Sequence, residues 1–239
     1  MTDYPLVSCL MPTTASRSVF WERAISMFAA QDYPRKELII IEDEAGAFEC
    51  PQELPRSVWK ENRIWNLPEY GAASLGGKLN RGARWAHGEI LINWDDDDWN
   101  APDRISTQVR HMQITGKPVV GLSSLIYYAE GREFGYEYTG DAWYASGSSH
   151  CYTRDWVLAH PRPDKTVGED NDFAAEARKH GAISNLSGLN CLVACDHPGN
   201  CSARMFGTEL YELIRETSSN FRKIPLAEFA STIGPYGSH

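Results

Sequence analysis

Long apolar runs are absent from this 239-residue sequence, and nothing in it approaches the roughly 20 consecutive apolar residues of a membrane-spanning helix. No secretory leader is expected either, because MTDYPLVSCLMP reaches Pro12 after a very short apolar stretch. The expectation is a cytoplasmic protein with at most peripheral membrane contact. Basic residues are outnumbered, 23 Lys and Arg against 32 Asp and Glu, for a formal charge of −9. That balance argues against a protein that holds nucleic acid through a general basic surface. Six cysteines at irregular positions make no disulfide framework and fit reduced thiols. No internal repeat, low-complexity tract or linker interrupts the chain. It reads as a single domain over 1–225, with a nucleotide-type half to about 115, a more irregular half over about 116–225, and a tail over 226–239.

What is present has the 42% hydrophobic and 23% charged content of an ordinary folded protein, in a chain long enough for a real core. LVSCLM (6–11) is short, rich in strand formers and stopped by Pro12. SVFWERAISMFAAQ (18–31) places Phe20, Ala24, Met27 and Phe28 near helical spacing. ELIIIED (37–43) is a continuous apolar run of the kind found in strands covered on both faces. NRIWNL (62–67) reads as a third strand. SLGGKLNRGARWAHG (74–88) puts Leu75, Leu79, Ala83 and Ala86 on one helix face and stops at Gly88. EILINW (89–94) is the next strand, and Asn100 or Asp98 caps a helix entered through Pro102.

This alternation predicts an α/β fold, an open and mostly parallel sheet with helices on both faces. Beyond residue 115, PVVGLSSLIYYAEGREFGYEY reads as two strands joined at a Glu-Gly turn. NDFAAEARKHG reads as a helix, SGLNCLVACDH as a strand and GTELYELIRET as a final helix.

In such sheets ligands bind beyond the carboxyl ends of the strands. Asp43 and the run Asp95, Asp96, Asp97 and Asp98 each follow a strand at that end. Four adjacent carboxylates repel one another unless water or a cation relieves them. A solvated acidic turn is the plain reading; the position at a strand end favours a metal site. Hard cations such as Mg²⁺ or Mn²⁺ take carboxylate oxygens from one or two residues, with water and phosphate completing the shell. Two of the four side chains are therefore expected to point inward. A second cluster, Cys191, Cys195, His197 and Cys201, has the right atoms for zinc but none of the common spacings. It reads as a strand with two small thiols followed by a turn.

PLVSCLMPTTASRSVFWERAISMFAAQDYPRKELIIIEDEAG resembles the opening of family-2 glycosyltransferases of the GT-A fold. SLGGKLNRGARWAHGEILINWDDDDWNAPDR is similar to their next block, which leads into an Asp-x-Asp metal motif. GEDNDF resembles their Glu-Asp acceptor-site motif, and HPGNCS a late His-x-Gly-Asn-x-Ser element. The likeness runs in order over roughly residues 5–202. It implies a GT-A type fold with an acceptor-binding second half. It also implies that Pro12 and Thr13 lie against the nucleoside and that Asp43 hydrogen-bonds the base, uracil by default. Lys78 and Asn80 would sit near the nucleotide, and Asp95 and Asp96 near ribose or metal. Asp97 would be the direct ligand of Mn²⁺ or Mg²⁺, with His197 as a further metal or diphosphate contact. Within Glu169-Asp170, Asp170 would be the catalytic base, with Asp172 as the fallback. The pair Glu42-Asp43 followed by Glu44 departs from the commoner Asp-Asp-Gly, and the run of four aspartates leaves the metal register open by one residue.

Each motif alone has a duller explanation: Lys78 on a solvated helix face, Glu169-Asp170 as an acidic first turn favoured by the macrodipole, His197 as a turn residue. Their order together implies metal-dependent, inverting transfer of a sugar from a nucleotide diphosphate donor to an acceptor hydroxyl. A sugar-nucleotide pyrophosphorylase would need a glycine-rich loop after the first strand, and MPTTASRS has no glycine. A glycoside hydrolase would leave the stretch from Pro12 to Asp43 unexplained. A catalytically silent nucleotide-sugar-binding module is the non-enzyme alternative. The resemblance implies a saccharide or glycan acceptor; a protein or a modified nucleic-acid base stays open.

Overall fold

The computed structural model describes residues 4–43, 56–68, 74–200 and 208–234. Glu44, Cys201 and Ser202 of the motifs above lie outside the described residues. A seven-stranded sheet forms the centre. Strand β1 (Val7–Pro12) has β2 (Lys36–Glu42) and then β3 (Ile64–Pro68) on one side. On the other side come β4 (Ile90–Asn93), β9 (Cys151–Thr153), β6 (Val119–Ser124) and β10 (Ile183–Ser187). All neighbours are parallel except β9, which runs antiparallel to both β4 and β6.

The apolar run of β2 is buried on both faces, as its composition predicts. Leu38 and Ile40 join the core under helix α1 (Ser18–Ala29), which contributes Trp21, Ala24, Ile25, Met27 and Phe28. Ile39 and Ile41 join the core under α3 (Leu75–Trp85), which contributes Leu79 and Ala83. Phe20, expected on the core face, is only half-buried and packs 4.8 Å from the ring of His197. Ser74 begins α3 by accepting the Gly77 N–H at 3.0 Å, which satisfies one of the first-turn donors. The helix stops at Trp85, short of Gly88. Gly88 serves a close approach instead: a Cβ there would lie 2.6 Å from Ser8 Oγ and 2.7 Å from the Leu6 carbonyl.

A second sheet has the order β12 (Phe221–Pro225), β8 (Phe134–Tyr138), β7 (Ile126–Tyr128), β11 (Leu192–Cys195) and β5 (Trp99–Asn100). Two strands read as continuous are in fact split between the sheets. PVVGLSSLIYY breaks at Leu125 into β6 and β7, although the Glu-Gly turn before β8 forms, with Gly131 at φ 83°. SGLNCLVACDH begins on Ser187, the last residue of β10, breaks at Gly188, where a Cβ would lie 2.3 Å from the Ser124 carbonyl, and forms its own strand only as β11.

The expected cap is corrected too. Helix α4 (Arg104–Thr115) starts after Asp103, and neither Asn100 nor Asp98 caps it. Buried Arg104 claims the acceptors there: its guanidinium donates to Asn100 Oδ1, to the Asn93 carbonyl at 2.9 Å and to the Ser148 carbonyl at 2.6 Å. Helix α6 (Glu169–Lys179) takes Glu169 and Asp170 into its first turn. Helices α2 (Arg56–Glu61) and α5 (Arg154–Ala159) and strand β12 have no counterpart in the sequence reading, whereas α7 (Thr208–Thr217) does. The expected tail begins by packing on the core: Phe229 and Ile233, the latter in α8 (Ala230–Ile233), are buried. Among the described residues no helix is long and apolar enough to cross a membrane.

Candidate active site

The strand order reverses at β1: the chain builds outward through β2 and β3, then crosses back to β4 on the other side. At such a reversal the crevice beyond the strand ends is open to a ligand. Strand β1 ends at Pro12-Thr13 and β4 leads into the four aspartates. A cleft of about 480 Å³ opens there, within the usual range for small-molecule sites. Pro12, Thr13, Asp43, Lys78, Asp95 to Asp98, His197, Glu169 and Asp170 all line it. Asn80 does not: its side-chain amide is spent on the Arg162 backbone, donating to the carbonyl at 2.8 Å and accepting the N–H at 2.9 Å.

Charged contacts hold one wall of the cleft together. Lys78 Nζ lies 2.5 Å from Asp43 Oδ1 and donates to the Thr13 carbonyl at 2.9 Å, so α3 ties the ends of β1 and β2 together. The Thr13 hydroxyl donates to Asp96 Oδ2 at 2.5 Å and accepts the Trp21 indole N–H at 2.7 Å. Arg17, which the sequence reading passed over, donates to Asp96 through Nε and Nη2, and Nη2 also lies 2.5 Å from Asp97 Oδ2. It is the lone cation of MPTTASRS, and its place between a strand end and a helix was the available signal.

His197 Nε2 lies 2.9 Å from Asp97 Oδ2, and Asn200 Nδ2 donates to the same oxygen at 3.1 Å. The Gly199 N–H donates to His197 Nδ1 at 3.1 Å, which leaves the ring proton on Nε2, directed at Asp97. In this arrangement His197 orients the aspartate and has no lone pair free for an ion.

The four aspartates have four different environments. Asp96 is consumed by Arg17 and Thr13. Asp98 accepts the Cys195 N–H at 3.0 Å. Asp95 has no hydrogen-bond partner among the described residues. Oxygens of Asp95, Asp97 and Asp98 come within 4.8 Å of one another, three convergent side chains where two were expected. Burial, then the charges of Asp97 and Asp96, pushes the Asp95 carboxyl up to about 7. Burial, then Asp97 and Asp95, also raises Asp98 well above the usual range. Burial acts on Asp97 in the same direction, but the hydrogen bond from His197 and the Arg17 charge outweigh it and hold this carboxyl low.

The first turn of α6 forms another wall. Glu169 is buried and pairs with Arg162 Nη1 at 2.6 Å. The Arg162 guanidinium lies 4.1 Å from the centre of the Phe173 ring and donates from Nη2 to His150 Nδ1 at 3.0 Å. Burial and then that neighbouring charge hold His150 well below its usual range, so the ring stays neutral. Asp170 is half-buried, and its Oδ2 accepts the Gly147 N–H at 3.2 Å. The Gly147 carbonyl in turn accepts from Asn93 Nδ2 at 2.6 Å, and Asn93 Oδ1 accepts the Tyr152 hydroxyl at 2.9 Å. This chain links Asp170 to the end of β4, just before the aspartates. Asp172, the fallback base, is exposed and pairs with Lys165 at 2.7 Å. Tyr127 and Tyr144, whose hydroxyls lie 3.1 Å apart, also line the cleft. Cys191 and Cys195 are buried free thiols, with burial raising both.

Comparison with known proteins gives one consistent answer. In sequence, the chain is 33% identical over 119 residues to WcaA of Escherichia coli (strain K12), a protein assigned to glycosyl transfer in colanic acid biosynthesis. That match covers 47% of this chain and 40% of WcaA, so the chain spans less than half of that relative. In structure, it superposes on S. aureus TarS 1–349 in complex with UDP-GlcNAc with a TM-score of 0.64 at 17% identity, covering 88% of this chain and 65% of that one. It superposes on the mannosyltransferase PcManGT from Pyrobaculum calidifontis, in complex with GDP-Man and Mn²⁺, with a TM-score of 0.63 at 16% identity, covering 89% and 63%. Those likenesses establish the GT-A type fold. The profile of glycosyl transferase family 2 matches residues 8–165, from the first strand through the aspartates to the Arg162 loop, and the chain belongs to that family.

Proposed function

We propose that this protein transfers a sugar from a nucleoside diphosphate donor, a uridine diphosphate sugar in the first instance, to an acceptor hydroxyl with inversion at the anomeric carbon. One observation carries the reading: converging aspartates at the sheet's reversal point share a cleft with the carboxylate of Asp170. The described residues would then act as one catalytic unit, the first half binding donor and the second half acceptor.

A divalent cation fits this site. The donor set is oxygen only, as Mg²⁺ and Mn²⁺ prefer, and Asp95 is a crowded carboxylate with no hydrogen-bond partner among the described residues. Asp97, with Asp95 and Asp98, would hold it. The bound ion supplies positive charge that stabilises the departing diphosphate more in the transition state than in the ground state.

The chain's own residues do the rest. Pro12 and Thr13 face the nucleoside, and Lys78 fixes the Asp43 carboxylate that hydrogen-bonds the base. Arg17 and Thr13 fix Asp96 beside the ribose, and Arg17 adds a second positive charge next to the diphosphate. His197 positions Asp97. Asp170 takes the acceptor's proton as its oxygen attacks the sugar from the face opposite the leaving group. Glu169 is a positioning residue, since its carboxylate is occupied by Arg162. Tyr127 and Tyr144 line the part of the cleft where a saccharide acceptor would sit. Buried free thiols at Cys9, Cys151, Cys191 and Cys195 suit a reducing cytoplasm.

The test is direct. Purified protein is incubated with a panel of nucleotide sugars and Mn²⁺, and nucleoside diphosphate release is followed with and without candidate saccharides. Release that is slow alone, accelerated by an acceptor and stopped by chelation supports the reading. Tight donor binding by calorimetry with no release from any donor would make the protein a binding module instead.

A further inference from the structure

Far from the cleft, at the other end of α6, three side chains with metal-binding atoms meet on the outer surface. His160 follows the last residue of α5, and Glu176 and His180 stand one turn apart at the end of α6. One ligating atom of each lies within 4.8 Å of the other two. We propose that His160, Glu176 and His180 form a second cation site, suited to a transition metal such as Zn²⁺.

Two donors on one zinc ion sit about 2.1 Å from it and hence no more than about 4.2 Å apart, so this set closes on an ion with sub-ångström side-chain movements. His180 Nε2 already lies 2.9 Å from Glu176 Oε1. The nearest cation, Lys179, sits 3.6 Å from the other carboxylate oxygen. His160 is oriented in advance. Its Nδ1 lies 3.2 Å from the Trp156 carbonyl, which places the proton on Nδ1 and leaves the Nε2 lone pair for a metal. The Trp156 ring stacks on the imidazole at 3.9 Å and 18°, and the two histidine rings are 5.2 Å apart. The partial negative charge at the C-terminus of α6 favours a cation there. His180 and Glu176 side chains are 46% and 40% exposed, which leaves room for water as a fourth ligand.

Two imidazoles and a carboxylate select for borderline metals, whereas the oxygen-only aspartate set selects for Mg²⁺ or Mn²⁺. One chain would thus sort two classes of cation to two places. An ion at this second site would join the end of α5 to the helix whose first turn carries Glu169 and Asp170.

Zn²⁺ is titrated calorimetrically into untagged full-length protein in excess Mg²⁺, with melting temperature recorded in parallel. One equivalent should bind saturably and raise the melting temperature, because the metal binds the folded state. His180→Ala and Glu176→Gln should each weaken zinc binding by about tenfold or more, and Asp97→Ala should leave it unchanged. Absence of saturable binding, binding that survives both surface substitutions, or loss of binding in Asp97→Ala would each overturn the assignment. Since the readouts are zinc affinity and melting temperature, these outcomes are separate from whether the protein transfers sugars.

Discussion

The two walls of the cleft are built on opposite plans. Around β1 and β4, Asp96, Asp97 and Asp98 each accept a hydrogen bond, Arg17 bridges the adjacent carboxylates of Asp96 and Asp97, and Lys78 ties the Asp43 carboxylate to the Thr13 carbonyl. At α6, buried Glu169 and Arg162 are locked together, while among the described residues the adjacent Asp170 carboxylate accepts a single 3.2 Å hydrogen bond from a backbone N–H. A surface that must grip a cation and a diphosphate needs fixed charges in fixed places. A group that must accept a proton needs a carboxylate oxygen left uncommitted. The contrast between Glu169 and Asp170 makes the same point within two consecutive residues: one is spent on an ion pair, and the other keeps the carboxylate that the proposed base would need.

The strongest way to break this comparison is Asp97→Ala. It should reduce metal-dependent turnover by about 10³-fold or more, since it removes the most firmly held carboxylate of the cation set. Next comes Asp170→Asn, expected to lower kcat by about 10²–10⁴-fold while donor affinity, measured by calorimetry, stays at the wild-type value. Full activity in that variant would remove Asp170 as the base.

Glu169→Gln tests the other half of the contrast. It leaves Arg162 as a buried charge without its counter-ion, at a cost of about 3–5 kcal/mol in denaturant unfolding, whereas Asp170→Asn should barely change stability. The smallest effect is a pH dependence at Asp95. Its carboxyl titrates near 7 in the folded chain, against 3.8 as the ordinary value, so the folded state binds the extra proton. Its contribution is therefore unfavourable above about pH 7, and the penalty is lost as pH falls from there towards about 4. In metal-free buffer, Asp95→Asn should raise the melting temperature most at about pH 8, less at about pH 5 and little at about pH 4. Added Mg²⁺ should narrow the gap by stabilising the wild type. A gap of constant size across pH would remove Asp95's charge as its source.

Much of the architecture was legible because it rests on local pattern. The apolar run at Leu38–Ile41, the Leu79 and Ala83 face of α3 and the acidic run after β4 each announce themselves within a few residues. The parts that were missed depend on partners far along the chain. Leu125 breaks an apolar run because β6 and β7 belong to different sheets, and no period in PVVGLSSLIYY encodes that. Arg104 and Arg162 look like surface cations in sequence, yet each is fully buried among acceptors from distant segments. Arg162, between Pro161 and Pro163, carried a hint of a fixed loop. Asn80 shows the reverse case: its position in a recognisable block suggested a place near the nucleotide, and its amide is committed to the Arg162 backbone. The side chains proposed to touch ligand were easier to find than those that hold them still.

Strand β9 carries one last consequence. Among the described residues, three, Cys151–Thr153, link the four strands around β1 to the pair β6–β10 in the large sheet. As the polypeptide leaves the ribosome, β4 is made long before the strand that covers its edge. Until then Ile90, Leu91 and Ile92 offer an apolar, unpaired border to any neighbouring nascent chain. Closing that seam pairs Ile92 with Cys151, far along the chain, a long-range contact of the kind whose loop-closure entropy slows folding.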